Sequence, residues 1–216
     1  MHKSTDNLNS IKEDLKSKIN NYQNVKVIAV SKTFPMKVIM PLIEYGHLEY
    51  GENKIQEAIT KWTEVKQARP NIKLHLIGKL QTNKVKLALK LFDFIHSVDT
   101  KKLAKKIADE ELKQNKKIKI FLQINIGNEE QKSGINKDHL EEFYSFCKNL
   151  NLDIVGLMCI PPVDDNSEIF FKQMAQLTKK FNLKELSMGM SADYIEAAKN
   201  FSTYIRIGSN IFGKRS

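Results

Sequence analysis

Short apolar runs alternate with longer amphipathic stretches from one end of the chain to the other, and this alternation constrains the fold more than any single residue. The runs fall at Val25 to Val30, Leu48 to Tyr50, Lys73 to Ile77, Phe94 to Val98, Ile118 to Asn125, Ile154 to Met158, Glu185 to Met188 and Tyr204 to Ile207. Each has the length and apolar content of a strand. Helices are predicted between them over Met36 to Tyr45, Lys54 to Lys66, Asn83 to Leu91, Lys101 to Lys113, Lys137 to Leu150, Ser167 to Phe181 and Ala192 to Phe201. A further helix, Leu8 to Asn21, precedes the first strand, and a short turn of helix is expected near Asn210. Spacings such as Phe170, Met174, Leu177 and Phe181 place apolar side chains on one helical face. Eight short βα units close without leaving sheet edges, so the pattern favours one α/β domain, a single (β/α)8 TIM barrel with an extra N-terminal helix. Residues 1–24 form the helix and lead-in and 25–213 the barrel. An open doubly wound sheet stays as the alternative, because strand order is not written in the pattern.

Composition narrows the class. The chain has 216 residues, enough for one well-buried core, and no apolar stretch approaches the length of a membrane span. Its polar start lacks the apolar segment of a secretory signal, which points to a cytoplasmic protein. The two cysteines, Cys147 and Cys159, have neither CxxC nor Cys/His spacing, so they read as buried packing residues, and no metal site is expected. A net charge of +10 invites a nucleic-acid reading. The lysines, however, fall on predicted helix faces among acidic residues such as Asp109, Glu110 and Glu111, not among stacking aromatics. That is the distribution of solvated helix surface and argues against nucleic acid.

In a barrel of this type the chemistry sits at the C-terminal ends of the strands. The residues found there are Ser31-Lys32-Thr33, Gly51-Glu52-Asn53, Gly78-Lys79-Leu80-Gln81, Met188-Gly189-Met190-Ser191 and Gly208-Ser209-Asn210. Lys32 would carry a flexible amine from a rigid apolar strand into a partly desolvated mouth, where a lowered pKa favours attack on an aldehyde. A surface lysine at a strand end is the plain alternative. Gly208-Ser209-Asn210 opens a terminal helical turn of the kind that accepts phosphate, with Ser187, Gly189 and Ser191 nearby on the preceding strand and loop. Tight-turn glycines would look the same. Arg206 lies inside the last strand, opposite in parity to Ile205 and Ile207, and a cation facing the barrel interior needs a partner or ligand. His75 shares a strand face with Ile77 and reads as a satisfied core histidine or a ligand. Glu52 is the one acidic group placed at the mouth.

Taken in order, Ala29-Val30-Ser31-Lys32-Thr33, Tyr50-Gly51-Glu52-Asn53, His75-Leu76-Ile77-Gly78-Lys79-Leu80-Gln81-Thr82-Asn83, Leu186-Ser187-Met188-Gly189-Met190-Ser191 and Arg206-Ile207-Gly208-Ser209-Asn210 resemble the pyridoxal phosphate homeostasis protein family. Shorter segments such as His96-Ser97-Val98-Asp99 and Gly156-Leu157-Met158 fall in the same order. The resemblance implies a barrel like the N-terminal domain of alanine racemase. It implies pyridoxal 5′-phosphate (PLP) as a Schiff base on Lys32, phosphate contacts from Ser187, Ser191, Gly208 and Ser209, and Arg206 facing the pyridine nitrogen. Asn53 and His75 complete the expected cofactor contacts. One departure is Phe201, which stands where the family usually has glycine.

The same resemblance implies a regulator of intracellular PLP, a monomer without catalytic turnover, with PLP-dependent enzymes as possible acceptors. An arginine at the ring nitrogen disfavours ring protonation, and with it the strongest electron withdrawal. Racemisation also needs a second acid/base group. In alanine racemase that group comes from an additional domain, for which these 216 residues are expected to have no counterpart. A PLP-dependent amino-acid racemase or lyase remains the alternative.

Overall fold

The computed structural model describes residues 2–162 and 166–214. It is a closed barrel of eight parallel strands in sequence order, β1 (Lys26–Val30), β2 (Glu49–Glu52), β3 (Lys73–Leu76), β4 (Phe94–Val98), β5 (Lys119–Ile124), β6 (Asp153–Cys159), β7 (Glu185–Ser187) and β8 (Tyr204–Ile207). Closure is made by β1 against β8, with Val27 opposite Ile205 and Ile28 opposite Arg206. This pairing removes the open doubly wound sheet, which would leave both strands elsewhere. Among the described residues no helix is long and apolar enough to cross a membrane.

Helices α1 (Lys3–Lys18), α2 (Met36–Glu44), α3 (Ile55–Ala68), α4 (Val85–Leu91), α5 (Lys101–Gln114), α6 (Leu140–Asn149), α7 (Ser167–Lys180), α8 (Tyr194–Lys199) and α9 (Ser209–Phe212) ring the strands. The element after β8 is a single turn, too short to cover the β8–β1 seam. The N-terminal helix supplies that cover: Leu8, Ile11 and Leu15 are buried, and the Asn7 amide donates to the Ile211 carbonyl of α9. α1 begins five residues earlier than the spacing of apolar residues suggests. The side chain of His2, an unusual cap, accepts from the Ser4 amide, and Ser4 and Thr5 are buried despite their polarity.

Strand parity sorts the core into two compartments. Odd and even positions alternate between the interior and the helix-covered outside. Ile28, Val30, Phe94, Phe121, Met158 and Tyr204 pack together inside. Leu74, Ile95, Leu122, Leu157 and Ile205 join the larger core under the helices. Both cysteines are buried.

Phe201 ends α8 with φ 68° and is 75% exposed. A left-handed backbone after a helix is where glycine is ordinarily placed, because a Cβ there costs about 1 kcal/mol or more. The departure noted in the sequence is therefore a substitution into a glycine conformation. Phe201→Gly should raise the unfolding free energy by about 0.5–1 kcal/mol, the relief of strain being partly offset by the greater freedom of glycine in the unfolded chain. Urea unfolding monitored by Trp62 fluorescence checks this, and an unchanged or lower midpoint would contradict it.

Candidate cofactor site

Lys32 lies two residues beyond β1, half-buried, in a turn fixed from below and from the side. The Ser31 amide still pairs with the Gly51 carbonyl, so strand parity persists to this point. Ser31 then faces the helices, and Lys32 falls on the interior side with Ile28 and Val30. The next residue, Thr33, has φ 68°, and its amide donates to Glu57. Lys61 of α3 clamps the turn: its ammonium donates to the carbonyls of Ser31 and Phe34 and pairs with Glu57 at 2.8 Å and Glu52 at 2.7 Å. The amine of Lys32 is thus carried on a rigid mount.

Glu52 is not at the mouth as expected. Its parity sends it outward, where it is fully buried between β2 and α3 and accepts from the Ser31 hydroxyl and the Trp62 indole. It supports the Lys32 turn from behind. The next residue, Asn53, returns to the interior side. Its Oδ1 is buried with no hydrogen-bond partner among the described residues, an orphan acceptor just past β2, the strand paired with β1. Gly78 permits this approach, since a Cβ there would sit 2.5 Å from the Asn53 carbonyl oxygen.

On the opposite side of the β1–β8 seam, the structure brings together the loops after β7 and β8. The Ser209 hydroxyl donates to that of Ser191 at 3.3 Å, and the Asn210 amide donates to the Ser191 carbonyl. Gly189 turns with φ 88°, and a Cβ there would meet Ala197 at 2.5 Å. Gly208 and Ser209 open the one-turn α9, whose first N–H groups have no intrahelical acceptor.

Arg206 is buried inside the barrel. One guanidinium nitrogen donates to the Ser187 hydroxyl at 2.8 Å and the other to the Cys159 carbonyl at 2.9 Å. Among the described residues no carboxylate pairs with it. A buried cation held only by a hydroxyl and a carbonyl is under-compensated, and a ligand offering an acceptor and negative charge would complete it. Cys159 does not compensate, since burial pushes its thiol up to about 12.

Two of the residues expected to contact the cofactor sit deeper in the barrel. Ser187 is not grouped with Ser191 and Ser209; it sits level with Tyr204, deeper in the barrel, between Arg206 and His96. His75 is deeper still, fully buried and stacked on Phe94 at 4.4 Å. It bonds to His96 at 2.9 Å and to Glu49 at 2.6 Å. His96 stands in a family-like segment of the sequence without a role, and Glu49, Lys61 and Glu57 escaped sequence reasoning. Interior parity on neighbouring strands is the available signal for His96 and Glu49, and i, i+4 spacing on one helix for the Glu57–Lys61 pair, but that spacing does not name the turn after β1 as its target.

The family profile of the alanine racemase N-terminal domain matches residues 5–216. The pyridoxal phosphate homeostasis protein of Aquifex aeolicus is 36% identical over 200 residues, covering 88% of this chain and 87% of that protein. The chain belongs to the pyridoxal phosphate homeostasis protein family. The family protein of Haemophilus influenzae is 34% identical over 225 residues, with coverage of 97% and 95%. Among solved structures, PipY of Synechococcus elongatus with PLP bound superposes with a TM-score of 0.82 at 33% identity, covering 93% of this chain and 97% of that one. An alanine racemase of Clostridium difficile, at 16% identity and a TM-score of 0.76, shares the fold alone.

The Lys61–Glu52 pair yields a test. Lys61→Met leaves a buried carboxylate without its cation, a change that costs about 3–5 kcal/mol. Denaturant unfolding of the variant should show a loss of that order, and adding Glu52→Gln should recover much of it. Additive losses in the double variant would show that the pair does not hold the turn.

Proposed function

We propose that this chain binds PLP through Lys32 and takes part in PLP homeostasis by holding and releasing it without catalytic turnover. The observation that carries this reading is that the β1–β8 seam sets the clamped Lys32 turn, just past β1, beside the strand that holds Arg206, a buried cation with which no carboxylate among the described residues pairs. PLP supplies an aldehyde that condenses reversibly with an amine, a ring acceptor and a phosphate dianion. The residues fit these groups: Lys32 for the aldehyde, Asn53 with its orphan acceptor beside it, Arg206 for the ring nitrogen, and Ser191, Gly208 and Ser209 for the phosphate. Ser187 and His75 act through Arg206 from below. An arginine in this position withholds a proton from the ring, which suits storage better than carbanion chemistry. That PipY of Synechococcus elongatus was solved with PLP supports the reading. So do the names of its relatives, which designate homeostasis and imply no reaction. Delivery to PLP-dependent enzymes, a monomeric state and a cytoplasmic location belong to the same proposal.

Spectral titration tests it. Wild-type protein incubated with PLP should turn yellow and develop a saturable visible band, and Lys32→Ala should lose that band while keeping its far-UV circular dichroism. A wild type that stays colourless overturns the proposal. Sustained release of product from an amino acid would select the racemase or lyase reading instead.

A further inference from the structure

Below Arg206 an unbroken line of polar side chains crosses the apolar barrel interior. The Arg206 guanidinium donates to Ser187 Oγ at 2.8 Å, Ser187 Oγ meets His96 Nδ1 at 2.9 Å, His96 Nε2 meets His75 Nδ1 at 2.9 Å, and His75 Nε2 meets Glu49 Oε2 at 2.6 Å. Arg206, Ser187, His96 and His75 are buried, whereas the Glu49 carboxylate is 22% exposed near the N-terminal mouth of the barrel. The line therefore runs from the cofactor side to solvent at the opposite end. Of its members, only Arg206 is assigned to PLP directly.

Donor and acceptor bookkeeping gives this line one direction. With Glu49 ionised, it accepts from His75 Nε2–H, which leaves His75 Nδ1 to accept from His96 Nε2–H. His96 Nδ1 must then accept from the Ser187 hydroxyl, whose oxygen in turn accepts from Arg206. Every bond is satisfied with two neutral histidines, both carrying their proton on Nε2. Burial lowers both histidines below their ordinary value, and the His75 contact holds Glu49 below the usual carboxylate range against its own burial.

We propose that His96, His75 and Glu49 are positioning residues for Arg206: they form an oriented relay that fixes its guanidinium and makes the cofactor pocket sensitive to protonation at the opposite mouth. The proposal rests on the reading that Arg206 faces the PLP ring. Adding one proton reverses the line. Glu49 becomes the acid and donates to His75 Nε2, each imidazole carries its hydrogen on Nδ1, and Ser187 Oγ accepts from both His96 and Arg206. The Ser187 hydrogen then needs a new acceptor, and the only net gain is the proton on Glu49.

The other ionisable groups facing the line set where this occurs. Lys26 and His47 face Glu49; Lys26 favours its ionised form, whereas burial pushes His47 down to about 4, so His47 adds positive charge only in acid. Asp93 and Lys26 act on His75 with opposite signs. Among the described residues, His96 feels His75 and Arg206, and Arg206 feels Cys159 and Asp193. Lys26 is itself engaged by the Tyr204 hydroxyl at 2.8 Å and by Glu185.

Two arms test the proposal. In the PLP-free protein, nitrogen NMR of the imidazoles near neutral pH should show both His75 and His96 as neutral Nε2–H tautomers. On acidification the Arg206 guanidinium proton signals should shift with the same midpoint as the tautomer change, and Glu49→Gln should abolish that shared transition while Glu49→Asp retains it. An Nδ1–H tautomer for either ring at neutral pH, or Arg206 signals indifferent to the change, overturns the relay. In the PLP-loaded protein, the visible band should titrate on acidification below about pH 5, in the range of a carboxylate and not of a free imidazole, with Glu49→Gln removing the transition or moving it by about one unit. It should also weaken PLP binding about fivefold, as expected for one lost hydrogen-bond contact. If wild type takes up no PLP, the function proposed above fails while the first arm still decides the relay. If PLP binds and Glu49→Gln titrates as wild type does, the coupling fails alone.

Discussion

The β1–β8 pairing is the contact on which the rest depends. It joins the two ends of the chain through Lys26–Ala29 and Tyr204–Ile207 and sets Ile28 opposite Arg206. Without closure, Lys32 and the Gly208-Ser209 turn would lie at opposite edges of a sheet, each an unremarkable strand end. With it they share one mouth, and the interior parity of β1 and β8 directs a lysine and an arginine into the same space. The seam needs cover, and because α9 is a single turn the N-terminal helix provides it.

The polar features group by strand parity into two systems with different work. On the outside, Glu52 beneath α3 and Lys61 and Glu57 on that helix are buried or partly buried and hold the turn that carries Lys32. On the inside, Glu49, His75, His96 and Ser187 lead from the lower mouth to Arg206. Both solve the same problem, a charge removed from water, by giving each donor an acceptor. They differ in what is left open. The outer system offsets its charges with its own ion pairs, though Glu52 Oε2 has no hydrogen-bond partner among the described residues, whereas the inner one ends at a guanidinium with which no carboxylate among the described residues pairs.

Much of this was legible in the sequence, and the reasons for the rest are physical. The strand runs Phe94 to Val98 and Tyr204 to Ile207 match β4 and β8 residue for residue, because buried parallel strands are marked by short apolar runs. Lys32, Asn53, Ser191, Gly208 and Ser209 stand out because each lies just past the C-terminal end of a strand, where a barrel places its chemistry. The start of α1 was not legible, because a histidine cap and buried Ser4 and Thr5 imitate a polar tail. Glu52 was misplaced by one step of parity: from sequence alone, a charged residue at a strand end reads as exposed to the mouth, and its partner Lys61 lies on another element. His75 was seen but not its role, which exists only through His96 on the next strand and Glu49 on the one before.

The central claim is that Lys32, out of the many lysines of this chain, is the one that takes PLP. The most direct measurement is borohydride reduction of the PLP-loaded protein followed by proteolytic mapping of the modified lysine. The expected result is a single labelled peptide containing Lys32, in about one-to-one ratio with protein at saturation. Label spread over surface lysines, or concentrated on Lys79 just past β3, would contradict the assignment.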